Sequence, residues 1–234
     1  MGKMSARDHS LHAYVVDQIG QRIASGELTP NSKILPETLG TEFGVSRTVV
    51  REALRDLQAK GMVRPRPKTG TRVLPVTEWN LLDEQVIGWR VRSPARQEQL
   101  RELMELRSHV ELAAIRSACS VATAADLVEL LRCCDAMETG LSAGNLTEFT
   151  EADIAFHTAL LAASGNLVFR QFSVPFAAVL RARDDLHLLP EHVEFAVVEV
   201  HRQVLAAITS GDADEAERVA NELIVHACSE MGLV

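Results

Sequence analysis

No run of residues in this chain is apolar and long enough to span a bilayer, and its start lacks the charged-then-apolar pattern of a secretory signal. Those absences argue against a membrane protein or a membrane partner and lead us to expect a cytoplasmic one. Cysteine is scarce. The four present (Cys119, Cys133, Cys134, Cys228) show neither metal-type CxxC spacing nor a secreted disulfide framework, so reduced thiols are expected. Cys133 and Cys134 are adjacent, and the expectation is that they cannot both face one core on a helix. Convincing strand alternation is missing from Ala95 onward, and tryptophan occurs only at Trp79 and Trp89.

What the chain does have is an uneven distribution of charge. Residues 1–76 carry twelve Lys/Arg against seven Asp/Glu, a net of +5, whereas all 234 residues sum to −8, which leaves −13 for the rest. A basic head on an acidic body fits binding to nucleic acid by one end. With 47% hydrophobic residues, the chain can build two cores.

The head carries the most specific motif, Gly44-Val45-Ser46-Arg47-Thr48-Val49-Val50-Arg51-Glu52-Ala53-Leu54-Arg55-Asp56-Leu57. Gly44 permits a sharp turn, Val45 can plug the angle between two helices, and Ser46 is a good N-cap. Val49, Val50, Ala53, Leu54 and Leu57 recur at helical spacing toward a core, and Arg47, Thr48, Arg51 and Arg55 fall largely on the other side. Such a helix suits a DNA major groove, where arginine bonds guanine and phosphate alike.

The neighbours complete a unit. Glu37 to Phe43 supplies a preceding helix, and Leu11, Val15, Ile19 and Ile23 form the apolar stripe of an earlier one, closed by Gly26 and Pro30. Downstream, Met62-Val63-Arg64 and Thr71-Arg72-Val73-Leu74 read as two strands around a loop with Arg66, Lys68, Thr69 and Gly70. Three helices and a basic hairpin make a winged helix-turn-helix over residues 1–75.

Trp79, Leu82, Val86 and Trp89 are spaced like one face of a linker helix over 76–94, in which the tryptophans pack the helix onto a neighbour. Beyond it, breaks near Ser120 to Ala124, Gly144-Asn145, Ser164 to Asn166, Leu189-Pro190 and Ser210-Gly211 divide residues 95–234 into about six helices. The fold class expected is therefore mainly α, a winged helix-turn-helix followed by an antiparallel all-α helical bundle.

Within the bundle, Asp153 and His157 are four residues apart on one helix face, with His201 and His226 on later helices. Asp and several His converging in a bundle suit a divalent transition metal such as zinc, nickel or manganese, although Asp-x-x-x-His alone is more often a surface ion pair. Arg107 can grip a carboxylate bidentately or pair with Glu111 one turn on. His187 and His192 flank the break at Pro190 and read as surface residues.

The head resembles the DNA-binding domain of GntR-family bacterial transcription regulators, through Gly44 to Leu54, Gly61-Met62-Val63 and Gly70-Thr71-Arg72-Val73. That resemblance implies contacts to DNA from Ser46, Arg47, Thr48, Arg51, Lys68, Thr69 and Gly70. The chain departs from the family at Glu37, where an arginine is usual, so its operator is expected to differ.

The body resembles the effector domain of the family's FadR branch. The matching segments are Glu105 to Glu111, Glu151 to His157, Ala163 to Asn166, and His201 through Ala213. The resemblance implies a metal held by Asp153, His157 and His201, with a small carboxylate effector bound by these and Arg107. The fourth ligand of the family aligns with Leu223, and His226 lies three residues later, about sixty degrees around a helix. Trp79 to Asp83 and Trp89 resemble the linker of members controlling sugar-acid catabolism of the gluconate and galactonate type. The implied protein is a homodimeric repressor, not an enzyme, released from a palindromic double-stranded DNA operator by a sugar acid. A metal-dependent enzyme of the bundle and an architectural DNA-binding protein without an effector remain as alternatives.

Overall fold

A computed structural model describes residues 6–66, 70–185 and 195–233. The chain divides into two compact units, Met1–Gln99 and Leu100–Val234.

The first unit holds α1 (Ala6–Ala24), β1 (Lys33–Ile34), α2 (Pro36–Phe43), α3 (Arg47–Ala59), β2 (Val63–Arg66), β3 (Gly70–Val73) and α4 (Glu84–Val91). The strands form one antiparallel sheet in the order β1-β3-β2. Of the stripe on α1, Val15, Ile19 and Ile23 are buried as their spacing requires, whereas Leu11, a turn nearer the start of the helix, is exposed. The buried three meet Leu39, Val50, Ala53, Leu54, Leu57, Met62, Val63 and Val73 in a single core. Gly44 adopts φ +64 and ends α2, a backbone conformation that favours glycine. Ser46 then accepts a hydrogen bond from Val49 N at 3.3 Å and starts α3. β1 was not expected from the sequence; at two residues it is too short to show alternation, and its pairing with β3 defines it.

The linker differs from the expected helix over 76–94. Val76–Glu78 form a single 3-10 turn, and a helix begins only at Glu84. Asp83 caps it by accepting from Gln85 N and Val86 N, and its carboxylate also bonds Lys60 Nζ at 2.8–2.9 Å. Trp79 lies outside that helix, with its indole donating to Leu74 O. Trp89 is buried in the core of the first unit, and its Nε1 donates to Asp17 on α1 at 2.8 Å. Gly20 on α1 makes room for the ring: a Cβ there would lie 2.5 Å from Trp89 carbons.

The division between units falls within α5 (Arg96–Val121). The second unit continues with α6 (Ala124–Ser142), α7 (Leu146–Ala163), α8 (Leu167–Arg170), α9 (Ser173–Asp185), α10 (Phe195–Ser210) and α11 (Ala213–Glu230). Short capped turns join α5 to α6, α6 to α7 and α10 to α11. Thr123 and Asp126 form a capping box before α6, and Asn145 and Asp212 cap α7 and α11. Among the described residues the helices outnumber the expected six, because a turn at Gln171 and Phe172 separates α8 from α9. The break at Leu189-Pro190, with His187 and His192, lies outside the described residues.

Cys133 and Cys134 correct the sequence reading, since both are buried in the bundle core. Helix α6 packs against α7 and also against α10, so it has two covered sides rather than one. Burial pushes the Cys134 thiol up to about 12, which keeps it protonated and inert.

Candidate functional site

Two surfaces carry chemistry. On the first unit, α3 exposes Ser46, Arg47, Thr48, Arg51 and Arg55 while burying Val50, Ala53, Leu54 and Leu57. A groove of about 290 Å³ lies between α3 and the β2–β3 hairpin, lined by Arg51, Arg55, Gln58, Arg66 and Gly70 among others. A basic, exposed helix beside a hairpin is the geometry of a winged-helix reading head. Gly70 sits at φ +93, and a Cβ there would come within 3.0 Å of the Lys33 side chain. Lys68 and Thr69, at the expected wing tip, lie outside the described residues.

Glu37 stands in the first turn of α2, with Oε1 3.6 Å from Arg47 Nη1, and both side chains are exposed. A carboxylate therefore faces the same side as the recognition arginines. Gln58 was missed by sequence reasoning because it adds no charge to the basic face. Arg55 and Arg66 were legible as part of the basic face and the basic hairpin.

The second surface is inside the bundle. Asp153 and His157 project from α7, His201 from α10 and Arg107 from α5, and all four are buried. Asp153 Oδ1 lies 3.3 Å from His157 Nε2 and 3.1 Å from His201 Nε2. One atom from each of these three residues falls within 4.8 Å of the other two. Phe156 packs edge-on against both imidazoles, with centroids at 5.6 and 4.9 Å, and so fixes their planes.

His201 Nδ1 bonds Val197 O at 2.8 Å, so Nδ1 carries the proton and Nε2 the lone pair. That Nε2 is buried without a hydrogen-bond partner, facing a carboxylate oxygen. A metal ion or a proton between these two atoms would relieve the contact. Two imidazole nitrogens and one carboxylate are a donor set that zinc, nickel or manganese accepts, so the residues fit a divalent metal.

Arg107 pairs with Glu111, as one sequence reading proposed, and it also lines the cavity. Its Nε donates to Glu111 Oε1 at 3.0 Å, and its Nη2 lies 2.7 Å from His157 Nε2. Glu111, seen from the sequence only as a pairing partner for Arg107, is buried and also lies 3.1 Å from His157 Nδ1. Burial alone would raise its pKa, but Arg107 and His157 outweigh that and hold it down at about 2. Burial disfavours the His157 imidazolium most and Arg107 opposes it too, but Glu111 and Asp153 together favour it and leave its pKa above the ordinary histidine value. A proton on Nε2 would nevertheless point at the Arg107 N–H. The 2.7 Å contact therefore belongs to the neutral ring, with its lone pair on Nε2.

His226, read from the sequence as a fourth candidate ligand, stands apart. It borders the cavity from α11, but its side chain is 58% exposed and its Nε2 lies 3.4 Å from Glu230 Oε1. Leu223, one turn earlier, also lines the cavity. The three-residue offset read from the sequence thus has a spatial consequence: the cluster ends at three residues among those described. The void at their meeting point is about 20 Å³, room for an ion or a water.

Comparison with known proteins identifies both domains. Residues 11–73 match the bacterial regulatory proteins of the gntR family, and residues 102–226 match the FCD domain. The HTH-type transcriptional regulator YieP of Escherichia coli K12 is 30% identical over 229 residues, covering 94% of each chain. The galactonate operon transcriptional repressor of the same organism is 29% identical, covering 90% of this chain and 92% of its own. The solved structure of Lar, which controls expression of the Listeria monocytogenes agr system, has a TM-score of 0.65 at 20% identity. It covers 98% of both chains and supports the fold alone. Among the described residues, no helix is long and apolar enough to cross a membrane. The chain belongs to the GntR family, with an FCD domain as its body, and is a transcription regulator rather than an enzyme.

Proposed function

We propose that this regulator is a cytoplasmic homodimeric repressor of genes for sugar-acid catabolism, released from a palindromic operator by a small carboxylate. The reading rests above all on one observation: Arg107, Asp153, His157 and His201 converge in a buried cavity of the FCD domain. Arginine is suited to a planar carboxylate, and the Asp/His set to a divalent ion or to hydroxyl groups. The likeness to the galactonate operon repressor supports a hydroxylated acid such as galactonate or gluconate.

In this reading Asp153, His157 and His201 would hold a divalent ion, which when bound supplies a Lewis-acidic site for a carboxylate oxygen. His226 is left out of that set because it faces solvent and Glu230. Arg107 holds the other carboxylate oxygen. Ser46, Arg47, Thr48 and Arg51, with Lys68, Thr69 and Gly70 of the wing, bind the operator. Glu37 beside Arg47 sets this operator apart from one read by an arginine at that place, since a carboxylate accepts from cytosine N4 and repels phosphate. Effector binding releases DNA only if the effector prefers the arrangement that DNA disfavours.

A thermal-shift screen of sugar acids and divalent metals tests this. A hydroxylated acid together with zinc, nickel or manganese raises the melting temperature of the parent protein, and less so that of His201→Ala. Equal shifts in the two proteins contradict the site.

A further inference from the structure

We propose that Arg107 is a gate on His157. Its guanidinium and a divalent cation compete for one imidazole lone pair, so cation binding turns Arg107 toward the cavity and readies it for an anion. This rests on the metal reading above and adds an order of events to it.

The argument begins with the ring. Arg107 Nη2, which can only donate, lies 2.7 Å from His157 Nε2, so the lone pair is on Nε2 and the neutral ring carries its proton on Nδ1, 3.1 Å from Glu111 Oε1. Arg107 Nη2 donates into that lone pair at 2.7 Å. The same Nε2 is the atom that His157 contributes to the cluster with Asp153 and His201. A lone pair serves one acceptor contact of this strength at a time, and a guanidinium and a metal ion repel each other at such range. Arg107 must therefore leave Nε2 before His157 can act as a ligand.

Where it can go is restricted. Its Nε is tied to Glu111 Oε1 at 3.0 Å, and both side chains are almost fully buried. The guanidinium is a rigid plane, so turning Nη2 off His157 also turns Nε–H off Glu111, and the two bonds yield together. Nη1 is already buried without a partner, and that turn frees Nη2 beside it. Two parallel N–H groups on the outer edge of a guanidinium are the fork that takes a carboxylate bidentately.

The buried charges point the same way. Arg107 is positive and Glu111, Asp153 and the cavity-lining Glu230 are negative, which with neutral histidines leaves the cavity at −2. A monoanion is unfavourable there. A divalent cation cancels that charge, so a monoanion no longer enters a negative cavity. Cation and carboxylate should thus strengthen each other's binding, and by linkage the effect is reciprocal.

The test is competition for Zn2+ between the full-length protein and a chromophoric chelator. It compares the parent with the double variant Arg107→Gln/Glu111→Gln, which removes the gate and keeps the net cavity charge. Removing a charge-assisted hydrogen bond that the metal must break should tighten Zn2+ by about tenfold. Acetate, the smallest probe bearing the recognised group, should tighten Zn2+ more in the parent than in the variant, which keeps the charge and loses the fork. Circular dichroism checks that the variant folds; if it does not, Arg107→Lys, which keeps the charge but loses the fork, gives the same weaker acetate response.

Zn2+ bound no more tightly by the double variant than by the parent overturns the gate while leaving the metal site standing. So does an acetate effect that is absent from the parent or equal in both proteins. No Zn2+ binding by either protein overturns the gate and the metal reading together.

Discussion

At the scale of single residues, the reading head and the cavity rest on different kinds of signal. Arg51 is exposed on α3 and borders the groove beside the hairpin, with no part in the core. Arg51→Ala should therefore weaken operator binding by about 1–3 kcal/mol, and if the contact is to phosphate the salt slope should fall by about one. The melting temperature should stay at the parent value; fluorescence anisotropy at several salt concentrations, with a parallel melt, checks both. That role was legible because a helix face is a local pattern, and Arg47, Arg51 and Arg55 repeat at its spacing. The cavity was legible only in part. Asp153 and His157 share a helix and announce themselves, and His201 came from the family pattern. Glu111 did not stand out, because its second contact, to His157, spans two helices and no spacing along the chain encodes it. His226, three residues past the position the family pattern gives, borders the cavity with a side chain that is mostly exposed beside Glu230.

At the scale of elements, local rules placed most boundaries. Ser46, Thr123, Asn145 and Asp212 each cap the helix that follows, and each is a residue type whose side chain accepts backbone N–H groups. The linker was harder. Spacing alone suggested one helix from Trp79, but Asp83 both caps α4 and bonds Lys60, so the chain turns before the helix starts. The partner that settles this lies in the preceding turn of the fold, outside any window along the linker. Two-sided packing of α6 is likewise invisible to a rule that assumes one buried face, and it explains why both Cys133 and Cys134 are enclosed. The seating of α4 on α1 yields a prediction. Gly20→Ala places a methyl 2.5 Å from the Trp89 ring, so the first unit should lose about 1–3 kcal/mol. Trp89 fluorescence during urea unfolding reads the loss directly, and a midpoint equal to the parent's contradicts this packing.

At the scale of the whole molecule, the division of charge matches the division of labour. The basic residues collect on the unit with the recognition helix, and the acidic remainder belongs largely to the unit with the buried Arg107, Glu111, Asp153, His157 and His201 cluster. Family membership makes the first unit a DNA reader. The central claim is that the second unit decides when DNA is released. The most direct measurement is operator binding by the parent and His201→Ala, followed by anisotropy on a DNA fragment selected in vitro with the parent protein. D-galactonate or D-gluconate with Zn2+ should weaken binding by the parent at least about tenfold, the scale of a typical allosteric coupling. His201→Ala should bind the same DNA with parent affinity and ignore the acid. If the acids leave the parent's affinity unchanged, or if His201→Ala responds as the parent does, the cavity is not the switch.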